Sequence, residues 1–254
     1  MAAAGVRLSR GRGAATVLQA ATLAAFWLVW ETLARSGLLF EGVVPPSLKL
    51  ARALAMILLD PTLYGARLVT GFEVAAALAI GCGLGLVFGL LCGAVPILGQ
   101  AYERYLHYLA PTPKIIFLPI LLLFFGVGAG MKISMGALSA FFPMAVATLS
   151  GVRQVDPVLV RVGRSFHLTR RQMALKVYLP AMVRPVLTGL RLSFGFALIG
   201  VLLAEIKMSN RGLGSMAIQF YNHMEIAEMY ALLLLVFALA AMVNGVIGRA
   251  MPRA

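Results

Sequence analysis

Long apolar runs alternate with short polar segments along most of this chain. About 20 consecutive apolar residues are needed to cross the hydrocarbon core of a bilayer, and six runs are long enough to predict such helices. They cover residues 14–33, 68–93, 109–127, 133–149, 186–206 and 229–247. The third run is the weakest, because Pro111, Pro113 and Pro119 interrupt it. The pattern predicts an all-α, polytopic membrane protein with six transmembrane helices.

The first run and the segment after it define an N-terminal region. Arginines followed by apolar residues also begin a secretory signal peptide, but this run continues to Leu33 and contains Trp27 and Trp30. We therefore expect an uncleaved membrane helix. An external loop over residues 35–67 follows, with a short amphipathic helix near residues 48–59. The chain then divides into this region, residues 1–61, and a membrane core, residues 62–254.

One polar segment is much longer than the others. Residues 151–191 carry eight Lys or Arg against a single acid, Asp156. The bilayer excludes such a segment, and loops rich in Lys and Arg stay in the cytoplasm. With the N-terminus inside, the predicted cytoplasmic segments hold 15 of the 22 basic residues and the external segments hold 7. The bias predicts a multi-pass membrane protein with both termini in the cytoplasm.

This basic segment has helical signals of its own. Asp156 and Pro157 suit the cap and the first turn of a helix, which predicts a short helix over residues 158–166. Thr169 is a candidate cap for a second helix over residues 170–178, which we expect to stop at Pro180.

Composition supports a membrane protein. Hydrophobic residues make up 61% of the chain and charged residues 12%, against about 45–50% and 25% in soluble domains. A net charge of +13 would suit a nucleic-acid binder, but the basic residues lie in short segments beside apolar runs, so we expect no nucleic-acid partner. Cys82 and Cys92 are about 15 Å apart on a helix, too far for a disulfide, and are expected to be buried packing residues.

Glycines recur at four-residue spacing in the second run. They fall on one helix face, where a neighbouring backbone can approach closely. We therefore assign them to helix packing. The four residues are Gly81, Gly85, Gly89 and Gly93.

Patterns that would indicate an enzyme are weak. The segment from Gly126 to Lys132 resembles a phosphate-binding loop, but Met131 stands where a glycine is required and Ile133 where Ser or Thr would bind magnesium. We interpret it as an external turn. None of the three histidines has a companion at metal-ligand spacing. We therefore expect no catalytic residues, no bound cofactor and no metal in this chain.

Two acids lie near the ends of apolar runs. Glu31 ends the first run and Glu73 lies early in the second. A charge at the bilayer centre costs about 2.5–3.5 kcal/mol on insertion scales, and less near the interface. We therefore expect both side chains at the lipid headgroups.

A third acid, Glu205, ends the fifth run before a polar turn that contains Gly212 and Gly214. Two interpretations stay open for it. Glu205 is either another interfacial acid or part of a translocation pathway, in which the turn covers an external cavity. Lys207 or Arg211 could pair with it.

The basic segment resembles the coupling loop of ABC-importer permeases. The family pattern is Glu-Ala-Ala, three residues, Gly, nine residues and Ile-x-Leu-Pro, and the corresponding frame here begins at Arg161 and ends at Pro180. The coupling residues that the resemblance assigns are Arg161, Val162, Gly163, Arg164, Ser165, Phe166, His167, Leu179 and Pro180. Other motifs look like the nitrate/sulfonate/taurine branch: Leu203-Ala204-Glu205, Gly212-Leu213-Gly214, Pro113-Lys114 to Leu118-Pro119, Phe125-Gly126 and Pro45-Pro46-Ser47.

Two positions depart from the family pattern. Arg161 replaces the family glutamate, so a salt bridge made by that glutamate cannot form, and Arg161 could instead seek an acid on the ATPase. His167 replaces the family glycine.

The resemblance implies a type I ABC-importer permease of a bacterial inner membrane, with a coupling loop over residues 151–186. Two such subunits, as a homodimer or a heterodimer, would form the pathway in the bilayer. A cytoplasmic ABC ATPase dimer would bind the coupling loops and use ATP and Mg, and a periplasmic substrate-binding protein would deliver the solute. The branch suggests a small organic or inorganic anion of the nitrate, sulfonate, taurine or aromatic-carboxylate kind.

Two other classes compete with this assignment. A stand-alone secondary carrier or channel would show inverted repeats or paired charges within the membrane, and neither pattern is clear in the sequence. A membrane enzyme would need a nucleophile or a metal constellation, which the motifs above do not supply. Co-purification of an ATPase would distinguish the importer subunit from both.

Overall fold

The described part of the chain is helical. The computed structural model describes residues 2–37 and 43–249, with side chains from residue 13 onward, and these residues include no β-strand. The external-loop residues 38–42, the side chains of the N-terminal arginines and residues 250–254 lie outside the described residues. The helices are α1 Ala2–Arg35, α2 Ser47–Leu59, α3 Pro61–Ala94, α4 Pro96–Leu109, α5 Leu118–Phe125, α6 Ala129–Arg153, α7 Pro157–Ser165, α8 Arg170–Met173, α9 Leu179–Ala181, α10 Val183–Met208, α11 Leu213–Asn222 and α12 Ile226–Arg249.

Five of these helices are long and apolar enough to cross a membrane. They are α1 from Gly13 onward, α3, α6, α10 and α12. This confirms the all-α, polytopic fold class and five of the predicted spans, each extended by several residues at one or both ends.

The predicted third span is not one straight helix. In its place α4 and the segment Lys114–Phe125 meet at a bend of 98°, so that they form either a broken span or a re-entrant loop. Prolines at 111 and 113 supply no backbone N–H to continue α4. The Lys114 ammonium instead donates to the carbonyls of Leu109, Ala110 and Thr112, at 2.8, 2.5 and 2.7 Å. Residues 96–109, which precede the predicted span, are also helical and form the first half of this bent pair.

Residues 2–37, 43–59 and 220–233 form one compact unit. Here α2 confirms the short helix predicted near residues 48–59. The Glu31 carboxylate accepts the N–H of Ser47 at 3.1 Å and its hydroxyl at 2.6 Å, and the Trp30 indole donates to the Pro45 carbonyl at 3.1 Å. Glu31 therefore holds the first residue of α2, and its position at the lipid headgroups stays a prediction.

Residues 60–219 and 234–249 form the second unit. Within it, α6 packs along both α3 and α10. Asp60 caps α3 by accepting the Thr62 N–H at 2.8 Å, and the hydrogen bonds from Thr62 hold the pKa of the Asp60 carboxyl below its usual value. Both cysteines are buried, as predicted.

The four-residue glycine repeat lies where α3 meets α6. A Cβ atom added at Gly85 would lie 2.6 Å from the Phe141 carbonyl oxygen, and one at Gly89 would lie 2.5 Å from the Ala145 oxygen. Gly81 and Gly93 are equally crowded, whereas Gly83, off this face, has open space around it. The contact between the two helices therefore requires residues without a side chain at these four positions.

Candidate functional site

The coupling loop begins with the helix that its cap residues predict. α7 starts at Pro157, where the missing proline N–H costs nothing. The Asp156 carboxylate accepts the Val158 N–H at 2.7 Å, which satisfies one of the free amides of the first turn. The predicted helix over residues 158–166 is confirmed to within one residue at each end.

The backbone at the end of α7 accommodates His167, which stands where the family pattern has glycine. The His167 N–H donates to the Arg164 carbonyl at 2.9 Å, and the Leu168 N–H donates to the Gly163 carbonyl at 3.2 Å. This pair of bonds is the Schellman motif, whose first residue after the cap takes a left-handed conformation. His167 has φ of 49°, which glycine adopts freely and histidine tolerates better than most residues do. The turn therefore survives the substitution.

The second half of the loop differs from the prediction. Thr169 caps α8 as expected, and it exchanges hydrogen bonds with Gln172 at 2.9 and 3.3 Å. However, the helical segment does not end at Pro180, because a π-helical turn over Ala174–Tyr178 leads directly into α9. Proline is tolerated in the first turn of a helix, where its missing N–H has no intrahelical partner. The predicted stop is therefore wrong.

One face of α7 exposes an apolar stripe. Its members recur at the spacing that aligns side chains along a helix. On another face Gly163 is buried, and a Cβ added there would lie 2.7 Å from the Met173 sulfur. Exposed apolar patches with a polar rim mark interaction sites. The stripe comprises Val158, Leu159, Val162 and Phe166, which are 49%, 48%, 47% and 76% exposed.

Three polar residues that the resemblance assigns to coupling flank this stripe. Arg161, Arg164 and Ser165 are exposed, and the Ser165 hydroxyl donates to the Arg161 carbonyl at 3.1 Å. Among the described residues, no carboxylate forms an ion pair with Arg161. Its charge is therefore free to meet an acid on another protein.

A second polar site lies at the other end of α6. We call it the polar junction, and it is built where α3, α6, α10 and the start of α11 meet. Glu205 is fully buried; its carboxylate accepts the Thr70 hydroxyl at 2.7 Å and the Gly214 N–H at 2.7 Å. Thr70 in turn accepts the Leu213 N–H at 2.8 Å. Neither Lys207 nor Arg211 pairs with Glu205, so the pairing suggested by the sequence is wrong.

Glycines make room for the Glu205 carboxyl group. Gly212 has φ of 103°, and a Cβ added there would collide with that carboxyl group. A Cβ at Gly214 would lie 2.7 Å from the Leu202 carbonyl oxygen and 3.0 Å from Glu205 Oε2. The Gly-Leu-Gly turn and Glu205 therefore form one structural unit.

The polar junction also contains a buried ion pair that sequence reasoning missed. The Lys132 ammonium pairs with Glu73 Oε1 and lies 3.3 Å from the Ser209 hydroxyl oxygen. Glu73 is 1% exposed and Lys132 4% exposed. Two predictions are therefore wrong, because Glu73 is not at the headgroups and Lys132 is inside α6 instead of in an external turn. Only the segment Gly126–Gly128 is a turn before α6.

An open cavity of about 580 Å³ lies beside the polar junction. Glu73, Lys132 and Arg211 are among its lining residues, whereas Glu205, Gly212 and Gly214 are not. The three residues predicted for a pathway thus build the turn next to the cavity, and their part in transport stays a prediction.

Comparison with known proteins identifies the family of this architecture. The sequence model of the binding-protein-dependent transport system inner membrane component matches residues 85–253. The chain is 31% identical to the aliphatic sulfonates transport permease protein SsuC of Bacillus subtilis (strain 168) over 188 residues, which cover 74% of this chain and 68% of that protein. It is 29% identical to the taurine transport system permease protein TauC of Escherichia coli (strain K12), over 78% of this chain and 74% of that protein.

The fold agrees with this family. A chain in a solved structure of the MetNI methionine ABC transporter, in an inward-facing conformation, superposes with a TM-score of 0.61 at 16% identity. The match covers 77% of this chain and 95% of that one. The chain belongs to the family of inner-membrane permease subunits of binding-protein-dependent ABC importers, and so it is a multi-pass membrane transport protein.

Proposed function

We propose that this permease moves a small anion into the cell and that its coupling loop, residues 151–186, docks on a cytoplasmic ABC ATPase. The observation that carries the proposal is the apolar stripe of α7, which is exposed between two capped helix ends. A rigid, short helix with an unburied apolar face suits a groove on a partner protein. The unpaired arginines around it would meet acidic residues there.

The proposed topology places this loop inside the cell. Its excess of Lys and Arg favours the cytoplasmic side, and an even number of crossings, with the bent α4–α5 segment counted as one, brings both termini to that side. The polar junction would then face the periplasm, because roughly 30 Å of α6 separates Lys132 from Val152. A periplasmic substrate-binding protein would deliver solute at that end.

The subunit's proposed work is mechanical. ATP and Mg would be bound by the ATPase dimer, and its closure would move the two coupling helices of a permease dimer, which we propose to be a homodimer. The permease then switches between two arrangements whose balance both the nucleotide and the binding protein change. This chain supplies the pathway, and the ATPase supplies the free energy.

An anionic solute is supported by two observations. The relatives are named for aliphatic sulfonates and taurine, both of which carry a sulfonate group. The cavity beside the polar junction is lined by the cations Lys132 and Arg211, although Glu73 is also there. A ligand screen of the associated substrate-binding protein, with sulfonates, nitrate and aromatic carboxylates, tests this class. Selective binding of a cationic solute would contradict it.

Docking is tested by placing a charge on the stripe. In Phe166→Asp or Val162→Asp, a carboxylate would be buried at the interface, which should weaken ATPase binding by about 2–4 kcal/mol, or roughly 30- to 1,000-fold. Gln154→Asp is the matched control, because it adds the same charge to an exposed residue of the same loop outside α7. Co-purified ATPase, solute-stimulated ATP hydrolysis and uptake are measured at equal amounts of inserted permease.

The proposal predicts that the stripe variants lose bound ATPase and uptake while Gln154→Asp keeps both. Equal ATPase retention and uptake in all three variants would exclude α7 as the docking element. Normal uptake without any associated ATPase would favour a stand-alone carrier.

A further inference from the structure

A second cavity lies where the coupling loop meets the end of α3. Its volume is about 450 Å³, which falls within the range of about 300–1,000 Å³ that is usual for ligand sites. Residues from the end of α3 and residues from the coupling loop both line it. The two groups of lining residues differ in chemical character, and this difference indicates what the cavity can bind.

The α3 side of the cavity is apolar and belongs to a membrane helix. Leu90, Leu91 and Ala94 line it at the end of α3, which is long and apolar enough to cross a membrane. Leu91 is 49% exposed, so its side chain is open to contact from an apolar group. The end of a spanning helix lies where the hydrocarbon core gives way to the headgroups. The cavity therefore lies at the depth of the lipid headgroups and the upper acyl chains.

The loop side of the cavity carries positive charge. Arg164 and Arg170 line it together with Tyr178, and both arginines are exposed. In the part of the chain that the structure describes, no carboxylate forms an ion pair with either guanidinium group, and no acidic residue lines this cavity. Guanidinium groups bind phosphate through paired, charge-assisted hydrogen bonds. The two arginines are thus complementary to a phosphate group.

We propose that this cavity binds one anionic phospholipid, whose phosphate contacts Arg164 and Arg170 and whose acyl chain lies along Leu90 and Leu91. Basic pockets beside membrane helices bind anionic head groups in this way. The inference goes beyond the transport function. It requires the end of α3 to lie at a membrane surface, but it does not depend on the docking of α7 on an ATPase.

A lipid in the cavity would leave the apolar stripe of α7 uncovered. With about 3.6 residues per turn, Arg164 lies on the face of α7 opposite the middle of the stripe. The neighbouring Gly163 packs against Met173, which also lines the cavity. The lipid would therefore join the coupling loop to the end of α3 while the stripe stays exposed for a partner.

Native mass spectrometry of the full-length permease tests the proposal. Protein released from nanodiscs of equal parts phosphatidylglycerol and phosphatidylethanolamine should retain one phosphatidylglycerol molecule per subunit. In Arg164→Gln/Arg170→Gln, the affinity for this lipid should fall about 30-fold, since each basic residue near the membrane surface contributes roughly a factor of five.

The matched control is Arg171→Gln/Lys176→Gln. It removes two positive charges from exposed residues of the same loop, and neither residue lines the cavity. This variant should retain the lipid. Ala94→Trp tests the apolar side separately, because it fills the cavity from an exposed position without altering an arginine, and it should also lose the lipid.

Several outcomes would overturn the proposal. It fails if the two double variants retain phosphatidylglycerol equally, or if the unaltered protein retains phosphatidylethanolamine just as well. Displacement of the lipid by inorganic phosphate would show a phosphate site without an acyl-chain contact. Dissociation of a permease dimer in Arg164→Gln/Arg170→Gln would assign the cavity to a second copy of the chain, and loss of the lipid from the complex with the ATPase would assign it to that partner. Each of these results would contradict a lipid site.

Discussion

Charged residues are buried at one end of α6 and exposed at the other. At the polar junction, Glu73, Lys132 and Glu205 are buried and held by partners within the chain. In the coupling loop, arginines are exposed and Phe166 is 76% exposed. The first arrangement is nearly complete within one subunit, whereas the second has a surface that lacks its partner. Substitutions at the junction should therefore change the stability of the permease itself, and those in the loop should change its association with other proteins.

The largest effect is expected at Gly212. In Gly212→Ala, the new methyl group would collide with the Glu205 carboxyl group at a backbone φ of 103°. Backbone strain and the displaced acid together should cost about 3–5 kcal/mol. Thermal unfolding in detergent measures the loss.

Gly195→Ala is the matched control, since a Cβ added there has nothing within 4 Å. It replaces a glycine in the interior of α10, which normally favours the helix by roughly 0.5–1 kcal/mol. Similar stability of the two alanine variants would show that the packing of Gly212 against the Glu205 carboxyl group does not contribute to folding.

Removing the buried cation should be nearly as severe. Lys132→Met leaves the Glu73 carboxylate without its partner, and breaking a buried pair in this way costs about 3–5 kcal/mol. The double variant Glu73→Gln/Lys132→Met should recover most of that stability, because it removes the unpaired charge as well. A double-mutant cycle on unfolding midpoints measures the coupling; additive effects would show that the pair contributes little.

The smallest effect is expected in the coupling loop. His167→Gly should change permease stability by less than about 1 kcal/mol, because the relief of a left-handed histidine is offset by the greater freedom of glycine in the unfolded chain. His167→Val should open the turn, since β-branched residues rarely adopt this conformation. Hydrogen exchange at the Leu168 amide reports on the Schellman bond; equal protection in both variants would contradict this account.

Local signals predict the loop better than they predict the junction. Asp156, Pro157 and Thr169 act on the backbone within three residues of themselves, so the caps of α7 and α8 could be read directly from the sequence. The bend between α4 and α5 was only partly predictable, because prolines indicate an interruption but not its angle. The π turn before Pro180 depends on how α8 and α9 are joined, and no local pattern marks it.

The polar junction depends on contacts that are distant in sequence. Glu73 and Lys132 are 59 positions apart, and Thr70 and Glu205 are 135 apart. Each of the three charged residues, taken alone, resembles an interfacial charge at the end of an apolar run. The one useful signal was that Glu205, Gly212 and Gly214 follow each other closely, and the structure shows that they do form one unit. A buried ion pair between two candidate membrane-spanning helices, Glu73 on α3 and Lys132 on α6, is present here, although the sequence did not reveal it.

The glycine contact between α3 and α6 limits how this permease can change shape. Backbone atoms of α6 fill the space above Gly81, Gly85 and Gly89, so sliding by even one residue would drive α6 atoms into the side chains between these glycines. The two helices, α3 and α6, should therefore move together as one rigid body. A rearrangement of the permease therefore has to occur on either side of this pair of helices. Under the proposed topology, a force applied near Val152 would reach the Lys132 end of α6 without any sliding of α6 along α3.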